Sequence, residues 1–460
     1  MMRRFSLSEA GVWLGAAMPE SGLSFSGVST DTRTLRPGDL YVALRGKQFD
    51  GHRFLTAAFD AGAVAAVVET LNDQVAMPQL VVSDTLRALA TLARANRSES
   101  MARFIAVTGS SGKTTVKEMM AAMVAGAGAT LSTRGNLNNH IGAPLTLLEI
   151  QPEHRFGIIE LGASGLGEIA HTVALVRPQV AVITNAGEAH LEGFGSYDNI
   201  VLAKGEIIDG VSGDGTVVLN ADDPAFEHWK RRAGQRQVLA VSQYAETGAD
   251  YSCLSVQMID GQQRLSLAGP ANWRCEITLP LLGRHNITNA LLAIAAVRTL
   301  GLSDDLVQQG LAGLRPIAGR LQAVVLQPGL TLIDDSYNAN PSSMKAALDV
   351  LAGFPGSRIA VLGAMGELGS ESEGLHQDVG AYARSVGIER LITVGPGCQG
   401  YRSGFGDGAE KCTGHGEAID HLTHQPVAPV TWLIKGSRSS AMDVVAEGIK
   451  ERIKTACCSG

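Results

Sequence analysis

Short apolar runs alternate with helical patterns along most of this chain. Phe104–Thr108, Gly157–Ile159 and Val180–Ile183 are almost continuously aliphatic. Runs of that length suit strands covered on both faces. Comparable runs recur near 215–220, 330–334, 358–362, 391–394 and 431–434. Between them lie Ala- and Leu-rich segments at helical spacing, such as Thr85–Ser98 and Asn286–Leu300. That rhythm predicts α/β layers built on largely parallel sheets.

A chain of 460 residues exceeds one ordinary core and suggests two or three domains. Three are expected. Residues 1–84 form a small α/β unit, with a turn into a strand at Gly38–Leu44, a helix from Thr56 toward Ala66 and a strand Ala65–Val68. Residues 85–313 form a central parallel-sheet domain opened by the linking helix Thr85–Ser98. Within it, the alternation over 238–282 predicts an antiparallel excursion. Residues 314–460 form a second parallel α/β domain, beginning at Leu314-Arg315-Pro316. The sequence shows no internal repeat and no low-complexity tract.

Composition adds exclusions. With 45% apolar and 18% charged residues, the chain has ample material for a core. A net charge of −7 gives no basic footprint for nucleic acid. A chain this acidic must gather positive charge locally in order to handle phosphates. The six cysteines contain no CxxC pair and read as reduced, partly buried thiols. The start MMRRFSLSEAG has no apolar segment behind its arginines, and no run approaches the roughly 18 apolar residues of a membrane span. The expected location is the cytoplasm.

The most specific local signal is Thr108-Gly109-Ser110-Ser111-Gly112-Lys113-Thr114-Thr115, between the strand ending at Thr108 and a helical run from Val116 to Ala125. Glycines let the backbone turn tightly so that N–H groups can face phosphate oxygens, and the helix adds its positive end. Lys113 can neutralise β- and γ-phosphates, and the Thr114 hydroxyl can ligate Mg²⁺. Val107 stands where the longer form of this pattern has glycine. The loop indicates nucleotide binding and leaves the reaction open.

Three other residues are candidates. Glu160 ends a strand, on the edge where parallel sheets meet their ligands. Taken alone it reads as a solvated rim carboxylate. His190 follows the strand at 180–184 and could ligate a metal, although a lone loop histidine is usually unremarkable. Lys204, in Ala203-Lys204-Gly205-Glu206, reads by itself as a surface lysine on a helix. Lys113, Glu160 and His190 all follow strands of one domain on one edge, which gives them a common purpose.

An ordered set of longer motifs extends the picture. TGSSGKTT (108–115), GNLNNHIGAPLTLL (135–148), ELGASGLGEIA (160–170), TNAGEAHLEGFGS (184–196), AKGEI (203–207), GRHNITNALLA (283–293), IAGRLQ (317–322), DDSYNANPSSM (334–344), VLGAMGELG (361–369) and KGSRSSAMD (435–443) together resemble the Mur ligase family over nearly the whole chain. Several of them are similar to the branch that adds D-alanyl-D-alanine to a UDP-N-acetylmuramoyl tripeptide. Two positions depart from the family pattern: Ala364 replaces an acidic residue, and the stretch after Arg438 is shorter in basic and Met residues.

The resemblance implies a three-domain fold: an N-terminal UDP-binding unit, a central phosphate-loop ATPase domain and a C-terminal Rossmann-like domain. It implies an ATP-dependent amide ligase working through an acyl phosphate, with ATP and two Mg²⁺ ions. Glu160 and His190 would hold the second ion, and Lys204 would be carbamylated, replacing a cation with an anion beside the metals. Asn286 and Asn289 would approach adenine, Arg320 the γ-phosphate and Asp335 the ribose. Asn138 and Asn139 would lie near the muramoyl phosphate or peptide. Val28–Arg33, with Ser29, Thr30 and Asp31, and Gly46–His52 resemble UDP-binding segments, although without the resemblance they are ordinary turn residues. The implied partners are the UDP-linked tripeptide and D-alanyl-D-alanine, with the protein a monomer. The third domain would close as a lid about a hinge near Leu314–Gly319.

Two readings compete. Another amide ligase of the same superfamily is one, but folylpolyglutamate-type enzymes lack a segment like 28–52, and the Asp-Asn-Pro-Arg motif of the diaminopimelate-adding enzymes is missing here. A plain NTPase is the other; it would explain 108–115 but not the motifs around 285, 320 and 335.

Overall fold

The computed structural model describes residues 2–17, 22–46, 49–259, 261–424 and 429–458, with side chains through 455. Lys47 and Gln48, inside the candidate segment Gly46–His52, lie outside the described residues, as do the side chains of Cys457 and Cys458.

Near the N-terminus the strands Phe5–Ser6 and Ser24–Phe25 pair antiparallel. The helix Leu7–Leu14 between them starts on a reciprocal cap, with Glu9 N–H donating to Ser6 Oγ and Ser6 N–H to the Glu9 carboxylate. A four-stranded parallel sheet follows, in the order Val28–Ser29, Leu40–Val42, Ala65–Val68, Gln79–Val81. The helix expected from Thr56 toward Ala66 covers only Leu55–Asp60, because Gly62 turns the chain at φ +92° into the strand. Thr85–Ser98 is helical as expected, capped by Asp84, whose carboxylate accepts the N–H of Leu86 and Arg87. Its last turn is tied to the next sheet: Arg97 lies 3.9 Å over the Phe104 ring and donates to the Val176 carbonyl at 2.8 Å.

The central sheet has nine strands. From one edge they run Trp273–Leu279, Gln262–Gly269, Tyr251–Ile259, Gln237–Ser242, Thr216–Asn220, Val180–Ile183, Arg103–Thr108, Phe156–Glu160, Thr130–Ser132. The antiparallel excursion begins later than the pattern suggested: Gln237–Ser242 is parallel to its neighbour, and only the hairpin after Tyr251 reverses. Alternate residues of Arg103–Thr108 feed two cores, Phe104 and Ala106 one face, Ile105 and Val107 the other. That two-sided burial explains the aliphatic runs. The register pairs Thr108 with Ile183 and Val107 with Glu160, so three strands end level at one edge.

The last sheet has six strands in the order Gln322–Gln327, Leu330–Asp335, Val430–Lys435, Ser357–Gly363, Arg390–Val394, Ala409–Cys412. It is parallel except for the first, an antiparallel edge strand. Chain order breaks where Val430–Lys435 inserts between Leu330–Asp335 and Ser357–Gly363, and such a switch point opens a crevice at the strand ends. Among the described residues, no helix is long and apolar enough to cross a membrane. Cys253, Cys275, Cys398 and Cys412 are free and buried.

Candidate functional site

The site is built around the turn from Thr108 to the helix Lys113–Ala125. Gly109 adopts φ +149° with the Thr184 hydroxyl where a β-carbon would sit, and Gly112 adopts φ +81° against the Asn289 carbonyl oxygen. Only glycine fits these positions without displacing a neighbour. The next strand end braces the loop. Thr184 Oγ1 donates to the Ser111 carbonyl at 2.6 Å, Asn185 Oδ1 accepts the Ser111 N–H at 2.9 Å, and Ser110 Oγ exchanges hydrogen bonds with Gly187. Thr108 Oγ1 is spent on the Leu161 carbonyl. Because the Ser110 and Ser111 N–H groups are bonded to Asn185, the donors suited to a phosphate are those of the helix's first turn, which have no intrahelical acceptor. Thr184, Asn185 and Gly187 had no assigned role in the sequence; the signal was there, in the motif that supplied His190.

Lys113 folds onto the loop, donating to the Gly109 carbonyl at 2.8 Å. Burial lowers its affinity for a proton and nearby Arg320 adds to this, while Glu160 opposes both. Glu160 is 2% exposed, which corrects its reading as a solvated rim residue. One carboxylate oxygen accepts the Thr114 hydroxyl at 2.9 Å and the other the Asn138 amide at 2.8 Å. Asn138 therefore orients Glu160, and Asn139 Oδ1 accepts the Ile141 and Gly142 N–H at 3.1 and 2.8 Å, in the turn before the helix Gly142–Leu148.

Mg²⁺ holds oxygen ligands about 2.1 Å away in an octahedron, so neighbouring ligands lie about 2.9 Å apart. Thr114 Oγ1 and Glu160 Oε2 meet that spacing at 2.9 Å. Among the described residues, no group of three or more His, Cys, Asp or Glu gathers as a metal cage. A site of one or two protein oxygens completed by phosphate and water is the habit of Mg²⁺, and the residues present fit it.

Lys204 is likewise buried, 2% exposed, which corrects its reading as a surface lysine. Its Nζ sits 5.1 Å over the Phe194 ring and makes no hydrogen bond or ion pair among the described residues. Burial first, and the charge of Lys113 second, hold it down to about 7, against the pull of Glu168 and Glu206. Burial lowers the affinity of His190 for a proton, Glu367 opposes this, and the charges of Lys113 and Lys204 add to it. Electrostatics thus couples Lys113, His190 and Lys204 in one neighbourhood.

The C-terminal sheet reaches across. Arg320 donates to Thr114 Oγ1 at 3.0 Å and lies 4.3 Å over the Tyr337 ring. Asn340, which caps the helix Pro341–Ala352, donates to Ser111 Oγ at 3.1 Å. The Glu367 carboxylate lies against His190 Nδ1. None of Asn340, Glu367 or Lys435 was singled out from sequence. Asp335 has both oxygens engaged, one by Lys435 Nζ at 2.5 Å and one by the Leu321 N–H at 3.1 Å. Asn286 and Asn289 bond each other at 2.8 Å beside the phosphate loop. His285, next to them, is held down to about 4 by burial and by Lys435. In the N-terminal unit Ser29 bonds the Asp31 backbone, and Arg33 holds the Asp31 carboxyl down to about 2. Thr30 is half-buried beside them.

A phosphate loop, a buried carboxylate hydrogen-bonded to its threonine and an arginine from a second α/β domain define a nucleotide-dependent phosphoryl-transfer enzyme of three domains. Three family models match in chain order: "Mur ligase family, catalytic domain" over 24–97, "Mur ligase middle domain" over 107–297 and "Mur ligase, glutamate ligase domain" over 319–438. The UDP-N-acetylmuramoyl-tripeptide–D-alanyl-D-alanine ligase of Escherichia coli K12 is 42% identical over 449 residues, covering 97% of this chain and 98% of that one. The crystal structure of MurF from Acinetobacter baumannii matches with a TM-score of 0.91 at 32% identity, over 98% and 99% of the two chains. That of Thermotoga maritima MurF in complex with ADP matches with a TM-score of 0.85 at 28% identity, over 94% and 98%. The chain belongs to the Mur ligase family.

Proposed function

We propose that this chain is an ATP-dependent ligase that joins D-alanyl-D-alanine to UDP-N-acetylmuramoyl tripeptide, forming the pentapeptide precursor of peptidoglycan. The observation that carries the phosphoryl chemistry is Thr114 Oγ1, which receives Arg320 from one domain and donates to Glu160 of another. The substrates follow the name borne by the E. coli relative, which matches end to end, and ATP use is supported by the ADP named for the T. maritima structure. Residues 1–84 would bind the UDP-muramoyl substrate through Ser29, Thr30 and Asp31, 85–313 would bind ATP, and 314–460 would close the site. Cytoplasmic location and a monomeric state belong to the same reading.

Amide formation requires an activated carboxyl. The tripeptide's terminal carboxylate would attack the γ-phosphorus of ATP, displacing ADP and leaving an acyl phosphate. The dipeptide amine would then attack the acyl carbon, expelling phosphate and losing a proton. The first step brings anions together, so Lys113 and Arg320 would offset charge on the transferring phosphoryl oxygens. Asn286 and Asn289, beside Gly112, would approach adenine, and Asp335 would act on the ribose side. Asn138 and Asn139 would lie near the muramoyl substrate, Asn138 orienting Glu160 and Asn139 bracing the turn before a helix. Mg²⁺ would be held by Thr114, with Glu160 and His190 holding a second ion, and would supply charge neutralisation of the phosphates. Lys204 meets the requirement for carbamylation, a neutral, unpaired amine: at about 7 its nitrogen is largely free of its proton above that pH. An acyl phosphate is prone to hydrolysis, so closure by the third domain would exclude water.

The test is phosphate release with ATP, Mg²⁺ and UDP-muramoyl tripeptide, with and without D-alanyl-D-alanine, together with the product's mass. Dipeptide-dependent release with a pentapeptide product is expected. Release without the dipeptide, or with glutamate or diaminopimelate in its place, would overturn the substrate assignment.

A further inference from the structure

Glu367 lies in the loop that leaves the strand Ser357–Gly363, at the ligand edge of the C-terminal sheet. Its backbone adopts φ +60°, and the residue it meets, His190, adopts φ +57°. Residues other than glycine take that conformation seldom, and such strain persists only where surrounding contacts enforce it. Those contacts are visible on both sides. The Glu367 carbonyl accepts the Glu192 N–H at 3.1 Å. Leu191 packs at once against the core of the central domain and against the core containing Met365 and Leu368. The loop itself is pinned from behind, because buried His376 accepts the Met365 N–H on Nε2 at 2.9 Å while its Nδ1 bonds the Ser372 carbonyl at 2.6 Å. Two strained residues on different domains are thus pressed together at one point, the Glu367 carboxylate paired with His190 Nδ1, a buried nitrogen with no other partner among the described residues.

A carboxylate on Nδ1 has a definite chemical consequence. It keeps the imidazole's proton on Nδ1 and leaves the lone pair on Nε2, the arrangement by which carboxylates orient metal-binding histidines. Here the carboxylate comes from the other domain, so the arrangement exists only while the two domains touch. Phe194 closes the short helix Leu191–Phe194 and carries Lys204 over its ring, so docking at Leu191 also bears on Lys204.

We propose that Glu367 is a positioning residue for His190, fixing its Nε2 lone pair for a divalent cation when the C-terminal domain closes. This rests on the reading of His190 as a metal holder. Cation binding and closure are then linked, and by reciprocity each strengthens the other.

The test is a Mn²⁺ titration of the full-length protein with ADP, with free Mn²⁺ followed by electron paramagnetic resonance, on wild type, E367A, E367Q and H190A. E367A weakens one class of Mn²⁺ by about 10- to 100-fold. E367Q, which still offers an oxygen to Nδ1–H, keeps most of the affinity. E367A combined with H190A is no weaker than H190A alone, since both act through one imidazole. X-ray scattering in the same samples shows Mn²⁺-dependent compaction in wild type and its loss in E367A. E367A binding Mn²⁺ like wild type, or adding its loss to that of H190A, would overturn the proposal. Neither readout needs turnover. Failure of dipeptide-dependent ligation in wild type would strike the proposed function, whereas normal ligation with an unchanged E367A titration would strike this inference alone.

Discussion

The central and C-terminal sheets end at the same cleft but furnish it differently. The central sheet presents side chains that are buried and cross-braced within their own domain: Glu160 between Thr114 and Asn138, the phosphate loop held by Thr184 and Asn185, Lys204 sealed under Phe194. The C-terminal sheet presents groups on loops with left-handed residues, Leu321 at φ +49° and Glu367 at φ +60°. Its side chains reach the other domain at separate points: Arg320 to Thr114, Asn340 to Ser111, Glu367 to His190. One half is preorganised by burial. Under the proposed function the other would be conditional on closure about the segment before Gly319, whose carbonyl accepts Tyr337 N–H of the C-terminal domain.

The difference should appear in how variants divide between binding and turnover. Arg320→Ala removes a conditional group that would act on charge developing during transfer, so kcat should fall about 10³-fold, the scale of arginine contributions to phosphoryl transfer, with the KM for ATP nearly unchanged. Steady-state kinetics at saturating substrates decides this. A large rise in KM with kcat intact would place Arg320 with the preorganised half.

Lys204→Met probes the preorganised half, with a smaller but pH-dependent effect on stability. The ordinary lysine value is 10.5 and here it is about 7. Between those values the unfolded chain binds a proton that the folded chain does not, so wild-type stability rises with pH across that window. Below pH 7 the full cost of burying the ammonium is present. In carbonate-free buffer the methionine variant should therefore melt several degrees above wild type at pH 6, with the gap narrowing by pH 9, as calorimetry would show. It should also be inactive. A gap independent of pH would mean that Lys204 is not depressed.

The same contrast governs what could be read from the sequence. Strands buried on both faces, such as Phe156–Glu160 and Val180–Ile183, declare themselves by aliphatic runs. Thr130–Ser132, Gln322–Gln327 and Ala409–Cys412 are edge strands with mixed polarity, and their patterns do not stand out. The phosphate loop was legible because its chemistry needs consecutive residues. Burial of Glu160 and Lys204 was not, since it depends on neighbours distant in sequence, and residue type alone argues for the surface. Asp335 could be noticed as an acidic residue after a strand, but its partner Lys435 lies 100 positions away. Contacts between domains, above all Glu367 with His190, are joined by topology alone.

The most direct test of the account follows oxygen. UDP-muramoyl tripeptide with ¹⁸O in its terminal carboxylate is incubated with enzyme, ATP, Mg²⁺ and D-alanyl-D-alanine, and the released phosphate is weighed by mass spectrometry. The account predicts that each phosphate carries one oxygen from the carboxylate, because that oxygen bridges carbon and phosphorus before the amine displaces it. Unlabelled phosphate would show that water took the phosphoryl group, and would contradict the ligase mechanism at its first step.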